Sequence, residues 1–313
     1  MKIGIIGAGQ VGTACAYATV MRGFAREIVL VDRSRDKARG VVADMRYGAL
    51  LSPETALCEG GYADLKGADV VMVTVGVNEK TGGATDRKDP KGRLRLLDKN
   101  ADIFREVIPR VARGSGRQAL ILTVTDPPDP LNDLARRLAP HNPVLSTGTY
   151  LDSLRFRVHL ARHLGVSPKS VEAQVLGEHG TSQVFIWSGA RVAGVPIASA
   201  LRQRRIKQAG FRAKIEKEVR YANVAIIEGI GASQYGIGMV SARIAEMVAK
   251  DERLVIPIGA YNKDYGVTLS LPSVVGKGGA LRILEPQLSS DERKALRNSA
   301  ATLRAAVRRM GRP

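Results

Sequence analysis

Apolar and polar positions follow two different periods along the first half of the chain. "KIGIIG" (2–7) is a short apolar run of the kind a buried strand needs, and from Val11 to Arg22 the apolar positions recur at helical spacing. "EIVLVD" is a second strand run ending in Asp32, with a helical pattern following through Met45. "ADVVMVTVG" (68–76) and "QALILTVTD" (118–126) are two more apolar runs, suited to a parallel sheet covered on both faces. Between them "RLRLLDKNADIFREVIPRVAR" reads as an amphipathic helix. This alternation predicts an α/β fold with a doubly wound parallel sheet at the N-terminus.

After about residue 148 the pattern changes. Helices are expected near 149–164 and 207–250, β segments near 171–187 and 253–276, and a basic helix from Ser290. The division expected is therefore an N-terminal nucleotide-binding domain, 1–147, and a C-terminal α+β substrate domain, 148–313. No internal repeat or low-complexity linker separates the halves, so they should share a large interface.

Composition narrows the class. Hydrophobic residues make up 44% and aromatics 4%, which fits a globular protein built on Val, Ile, Leu and Ala. No run of eighteen apolar residues exists, so no membrane span is expected. The N-terminus runs from a short apolar stretch straight into a glycine-rich turn, unlike a signal peptide. Cys15 and Cys58 form neither a disulfide framework nor a metal-ligand spacing. The expectation is a cytoplasmic protein without disulfides or metal.

The net charge of +18 favours anionic ligands: acidic metabolites, phosphates or nucleic acid. Its basic residues are dispersed through "RSRDKAR", "LRQRRIKQAGFRAK" and the tail "LRAAVRRMGRP", and are not interleaved with aromatics. A dedicated nucleic-acid surface concentrates them. Specific nucleic-acid binding is not expected, and loose polyanion binding would be a side effect of charge.

The first strand run leads directly into "GAGQVG", with Gly7, Gly9 and Gly12 at G-x-G-x-x-G spacing. One glycine makes the turn, one lets a pyrophosphate approach the backbone, and one lets helix and strand pack closely. Gln10 and Val11 open the helix, whose N–H groups would meet the phosphates. Asp32, twenty residues after Gly12, would accept hydrogen bonds from ribose hydroxyls and repel a 2′-phosphate. NAD is the expected cofactor, with Arg33 and Arg35 leaving NADP open.

In "QVLGEHGTSQVF" (174–185) a histidine sits between two glycines, with apolar runs on either side. Taken with "GAGQVG", Asp32, the strand end at Gly76, "GRLRLLDKNADIF", "VTDPPDPL", "TYLDSLRFR" and "EGIGASQYGIG", it resembles the L-lactate/malate dehydrogenase family over nearly the whole chain. The resemblance implies hydride transfer between NAD(H) and an L-2-hydroxy acid/2-oxo acid pair. His179 would be the general acid/base and Asp152 its partner. Arg155 would clamp the substrate carboxylate by a planar two-point contact. Arg93 would polarise the reacting carbonyl, and Ser233 would line the substrate pocket. The resemblance also implies a homodimer or a homotetramer.

The departures from the family concern specificity. Arg93 stands seventeen positions after Gly76, and the 77–92 loop between them is longer than in lactate and malate dehydrogenases. A longer loop is similar to the 2-hydroxyisocaproate branch, and its Lys80, Arg87, Lys88 and Lys91 would face an acidic substrate. Asp126 replaces an asparagine typical of the family, so a carboxylate stands where an amide would donate. The family's "GEHGD" is here "GEHGT", with Thr181 in the last position. Glu172 stands where sugar-bisphosphate-activated members carry a histidine, so that activation is not expected. Malate dehydrogenase activity is the alternative within the class. A nucleotide- or polyanion-binding protein on a dehydrogenase scaffold is the alternative outside it.

Overall fold

The computed structural model describes residues 1–77 and 92–311, with the side chains of 92–95 and 209 set apart. In the first half strands and helices alternate. They are β1 (Lys2–Ile6), α1 (Gln10–Arg22), β2 (Glu27–Val31), α2 (Arg35–Ala49), β3 (Ala56–Glu59) and β4 (Val70–Val73), then α3 (Gly92–Ser115), β5 (Leu120–Thr123), α4 (Pro128–Leu138) and β6 (Val144–Ser146). The second half opens with α5 (Tyr150–Leu164). Five two-residue strands follow: β7 (Val171–Glu172), β8 (Val175–Leu176), β9 (Val184–Phe185), β10 (Arg191–Val192) and β11 (Val195–Pro196). Then come α6 (Ile197–Gln203), α7 (Gln208–Arg220), α8 (Ala222–Ile230), α9 (Tyr235–Ala249), β12 (Leu254–Asn262), β13 (Val267–Gly276), β14 (Gly279–Ile283) and α10 (Ser290–Met310).

The main sheet has the order β14-β13-β12-β6-β5-β4-β1-β2-β3. Strands β1 to β6 are parallel, and the order reverses between β1 and β4. That reversal opens a crevice at the carboxyl ends of these strands, the place where such sheets take ligands. The expected Rossmann-type half is therefore present. The second half continues the same sheet: β12 joins β6 antiparallel at Gly259 and Ser146. A Cβ on Gly259 would lie 1.8 Å from Ser146 Oγ, so this seam tolerates no side chain.

Burial explains the strand composition. Every residue of β4 and β5 is buried, because helices cover both sheet faces. On one side Cys15 and Val20 of α1, Val42 of α2 and Ile244 of α9 pack together. On the other, Phe104 and Ile108 of α3, Leu134 of α4 and Met310 of α10 do so. A third core, with Phe156, Trp187 and Phe211, holds α5 against α7 and the short strands.

The helical region expected at 207–250 is divided into α7, α8 and α9. Gly231, in the left-handed region at φ 82°, ends α8, and the four residues from Gly231 to Gln234 lead into α9. Apolar spacing continues across such a break, so periodicity alone does not mark it. The break matters because it turns Ala232 and Ser233 toward the crevice. The short strands β3 and β6 and the proline-started α4 complete the first half.

Candidate active site

A cleft of about 360 Å³ lies at the strand-order reversal. Gly9, Gln10, Val11 and Gly76 border it at one end, and Asp126, Arg155, His179 and Ser233 at the other. The structure thus brings eight of the expected site residues to one opening. The side chain of Arg93 and the segment 78–91, which holds the charged loop residues, lie outside the described residues.

The cofactor end is made locally. β1 runs into Gly7, whose φ of 105° suits glycine alone. A Cβ on Gly12 would stand 1.8 Å from the Gly7 carbonyl oxygen, so α1 packs against the turn with no room for a side chain. A Cβ on Gly9, by contrast, would meet nothing within 4 Å. That open side is a cradle for a group approaching the start of α1. No side chain caps the helix there and no acid occupies its first turn, so its N–H groups and dipole are available to an anion. These features fit a dinucleotide pyrophosphate.

Asp32 stands beside this turn and not in the cleft. Its Oδ2 accepts from the Ala8 N–H at 2.6 Å and its Oδ1 from the Ser34 N–H at 2.9 Å. The carboxylate therefore braces the glycine turn as well as following β2. Gly76 is constrained from behind, since a Cβ there would lie 2.5 Å from Thr125 Cγ2.

The catalytic end is assembled from distant segments. Asp152 is the third residue of α5 and only 1% exposed. Its Oδ2 lies 2.5 Å from His179 Nδ1, and its Oδ1 accepts from Arg155 Nη1 at 3.1 Å. With Nδ1 facing a carboxylate, the imidazole carries its proton there, and Nε2 is the nitrogen turned to the cleft. Asp126 Oδ1 lies 3.9 Å from that Nε2. Arg155 is on the same helix face as Asp152, one turn on, so one carboxylate orients both the base and the guanidinium.

The loop that carries His179 joins β8 to β9, which pair antiparallel. Gly177, at φ 83°, exchanges backbone hydrogen bonds of 2.9 Å with Ser270 of β13. Glu178 turns back inside the loop, accepting from the Ser182 N–H and hydroxyl at 3.0 and 2.5 Å. The glycine bend is thus pinned to the sheet while the imidazole projects the other way.

Two supporting residues were not singled out from the sequence. Asn100, fully buried on α3, accepts from the Val77 N–H at 2.8 Å and donates to the Asp126 carbonyl at 2.7 Å. It ties the ends of β4 and β5 together beneath the cleft. Asp129, on α4, accepts from the His179 N–H at 2.7 Å. Both lie in quoted motifs, "LDKN" and "PPDP", where a polar residue among buried neighbours was the available signal.

A parallel sheet with a glycine turn at its reversal, and an aspartate-held histidine at the far end of one cleft, define a dinucleotide-dependent oxidoreductase architecture. Two family profiles match the chain: the lactate/malate dehydrogenase NAD binding domain over residues 1–145 and the alpha/beta C-terminal domain of the same family over 149–311. The L-lactate dehydrogenase of Deinococcus radiodurans is 44% identical over 312 residues, covering 99% of this chain and all of that protein. That of Thermus aquaticus is 40% identical over 318 residues, covering 99% and 100%. A crystal structure of the minor L-lactate dehydrogenase of Enterococcus mundtii, in a ligand-bound form, superposes with a TM-score of 0.90 at 32% identity, covering 98% of each chain. A lactate dehydrogenase from a Medee basin deep-sea metagenome library gives the same score and identity. The chain belongs to the lactate/malate dehydrogenase family, and its cofactor is NAD.

Proposed function

We propose that this protein is an NAD-dependent L-2-hydroxy acid dehydrogenase of the lactate type, with a substrate preference altered by Asp126. The observation that carries the reading is His179 held at Nδ1 by buried Asp152, with Arg155 in the same cleft. Bound NAD supplies the hydride acceptor or donor. Gly9 and the start of α1 hold its pyrophosphate. Arg155 clamps the carboxylate of the 2-oxo acid, which fixes the reacting carbon. In reduction, protonated His179 gives its Nε2 proton to the oxygen of the ketone. In oxidation, neutral His179 takes that proton from the hydroxyl, and Asp152 stabilises the imidazolium.

Asp126 supports a departure from plain pyruvate. A carboxylate 3.9 Å from Nε2 repels a second acidic group and accepts from a hydroxyl or amine on the substrate. It therefore argues against a dicarboxylate such as oxaloacetate. The division into an NAD domain, 1–147, and a substrate domain, 148–313, follows the same reading.

A homodimer or a homotetramer is the proposed assembly. Tyr17 of α1, Tyr47 of α2, Tyr235 and Met239 of α9, and Leu50 and Leu51 just after α2 are large apolar side chains left exposed. Light scattering of the purified protein tests this.

The activity is tested by NADH oxidation at steady state across a panel of 2-oxo acids, with NADPH as control. Turnover of monocarboxylates with NADH, and poor turnover of oxaloacetate, supports the reading. NADH binding without turnover of any member would overturn it in favour of a binding protein. If Asp126→Asn leaves the ranking of substrates unchanged, the role given to Asp126 is wrong.

A further inference from the structure

One fully buried carboxyl in this molecule touches the catalytic loop without belonging to the cleft. Asp129 is the second residue of α4, with no exposure to solvent. Pro127, Pro128 and Pro130 surround it, so the start of the helix offers few N–H groups of its own. Its two oxygens are instead divided between two elements. Oδ1 accepts from the Ser146 hydroxyl of β6 at 2.6 Å, and Oδ2 accepts from the backbone N–H of His179 at 2.7 Å. β12 closes over the pair, since a Cβ on Gly259 would lie 2.6 Å from Asp129 Oδ1.

We propose that Asp129 is a positioning residue for His179, holding its backbone N–H so that the imidazole stays between Asp152 and the cleft. The inference rests on the dehydrogenase reading above. Asp152 grips the ring at Nδ1, and a shift of the backbone would carry the ring with it. The bend has glycine on both sides of Glu178–His179, so the local chain offers little stiffness. A second grip, at the main chain, sets the direction of Nε2.

The charge of Asp129 has a further effect. Among the described residues, the charged groups facing the imidazole are Asp152 and Arg155 from α5, Asp126 from the loop before α4, Asp129 from α4, and Glu178 from the loop itself. The carboxylate of Asp129 adds to that of Asp152 in favouring the protonated ring. Burial pushes its own carboxyl up to about 6, against the lowering by Ser146 and His179. A group whose charged form is disfavoured by the fold is a poor choice for stability alone.

Asp129→Ala removes the acceptor of the His179 N–H. Asp129→Asn, by contrast, is nearly isosteric: its amide oxygen can still accept from His179 and its amide nitrogen can donate to Ser146, so it removes the charge and keeps the grip. Expected are a kcat lowered by about tenfold or more in Asp129→Ala and largely restored in Asp129→Asn, an unchanged KM for NADH in both, and in Asp129→Asn an alkaline limb of the reductive kcat–pH profile moved down by about half a unit. The thermal midpoint of Asp129→Asn at pH 8 should be unchanged or higher. Ser146→Ala should lower kcat in the same direction by less. NMR titration of the His179 ring, one of four histidines, reads the same downward shift without turnover. Wild-type kcat in Asp129→Ala, or an unmoved His179 titration in Asp129→Asn, would overturn the proposal. So would a lowered midpoint with NADH binding lost in Asp129→Asn, which is the mark of a merely structural residue. Absence of turnover in the wild type would count against the dehydrogenase reading alone, since the ring titration still decides the role of Asp129.

Discussion

At one end of the cleft, β1, the turn from Gly7 to Gly9 and the first residues of α1 form an uninterrupted piece of chain, braced by Asp32 from the next strand. At the other end, His179 depends on Asp152 from α5, Asp129 from α4 and Ser270 from β13. The first end needs mainly the absence of side chains, which glycine supplies locally. The second needs particular polar atoms at fixed distances, which only packing supplies. The cofactor end should therefore fail by steric exclusion, and the catalytic end by loss of a single group or of its support.

The sharpest separation is His179→Asn. Loss of the acid/base should lower turnover by about 10²- to 10⁴-fold, with the Kd for NADH unchanged by fluorescence titration. Loss of NADH binding in this variant would break the comparison, because it would mean that the two ends are not independent. Gly12→Ala tests the opposite end. Its Cβ cannot coexist with the Gly7 carbonyl at 1.8 Å, so α1 must shift. Overpacking of about 1–3 kcal/mol should appear as weaker NADH binding and a lower thermal midpoint.

Asn100→Ala sharpens the comparison at the joint between the ends. It removes both bonds between the loops after β4 and β5. We expect about 1–3 kcal/mol of lost stability together with a raised KM for the 2-oxo acid, read by denaturant unfolding and steady-state kinetics. Unchanged kinetics would show that the two loops are held by packing alone.

The last expected effect concerns pH. Burial raises the Asp129 carboxyl from 3.8 to about 6 in the folded chain. The folded state then holds this proton more tightly than the unfolded state does. The resulting stability is present below 3.8 and is lost as the pH rises through about 6. The wild type should thus lose midpoint across that window relative to Asp129→Asn, with the difference constant above it. A difference that grows in the other direction would show that the carboxylate stabilises the fold.

Much of this was legible in the residues. Apolar runs bounded by turns marked β1, β2, β4 and β5, because a strand covered on both faces excludes polar side chains. The glycine spacing and Asp32 marked the cofactor end, because those requirements lie within one supersecondary unit. The pairing of His179 with Asp152 came only from resemblance to a family. Twenty-seven positions separate them, and no local period links the two.

The sequence by itself determined the main strands and helices of the first half, where a dinucleotide turn lies, and which side chains have the chemistry for proton transfer and carboxylate binding. These properties follow from periods of two or 3.6 residues and from side-chain type. Only the tertiary structure decided that β12 to β14 extend the first sheet through Gly259, that Gly231 redirects Ser233 to the cleft, and that Asp129 reaches the backbone of His179. The first and last of these join residues 50 or more positions apart. They exist because burying the apolar faces of α4, α5 and β13 leaves only those partners for the polar groups enclosed with them.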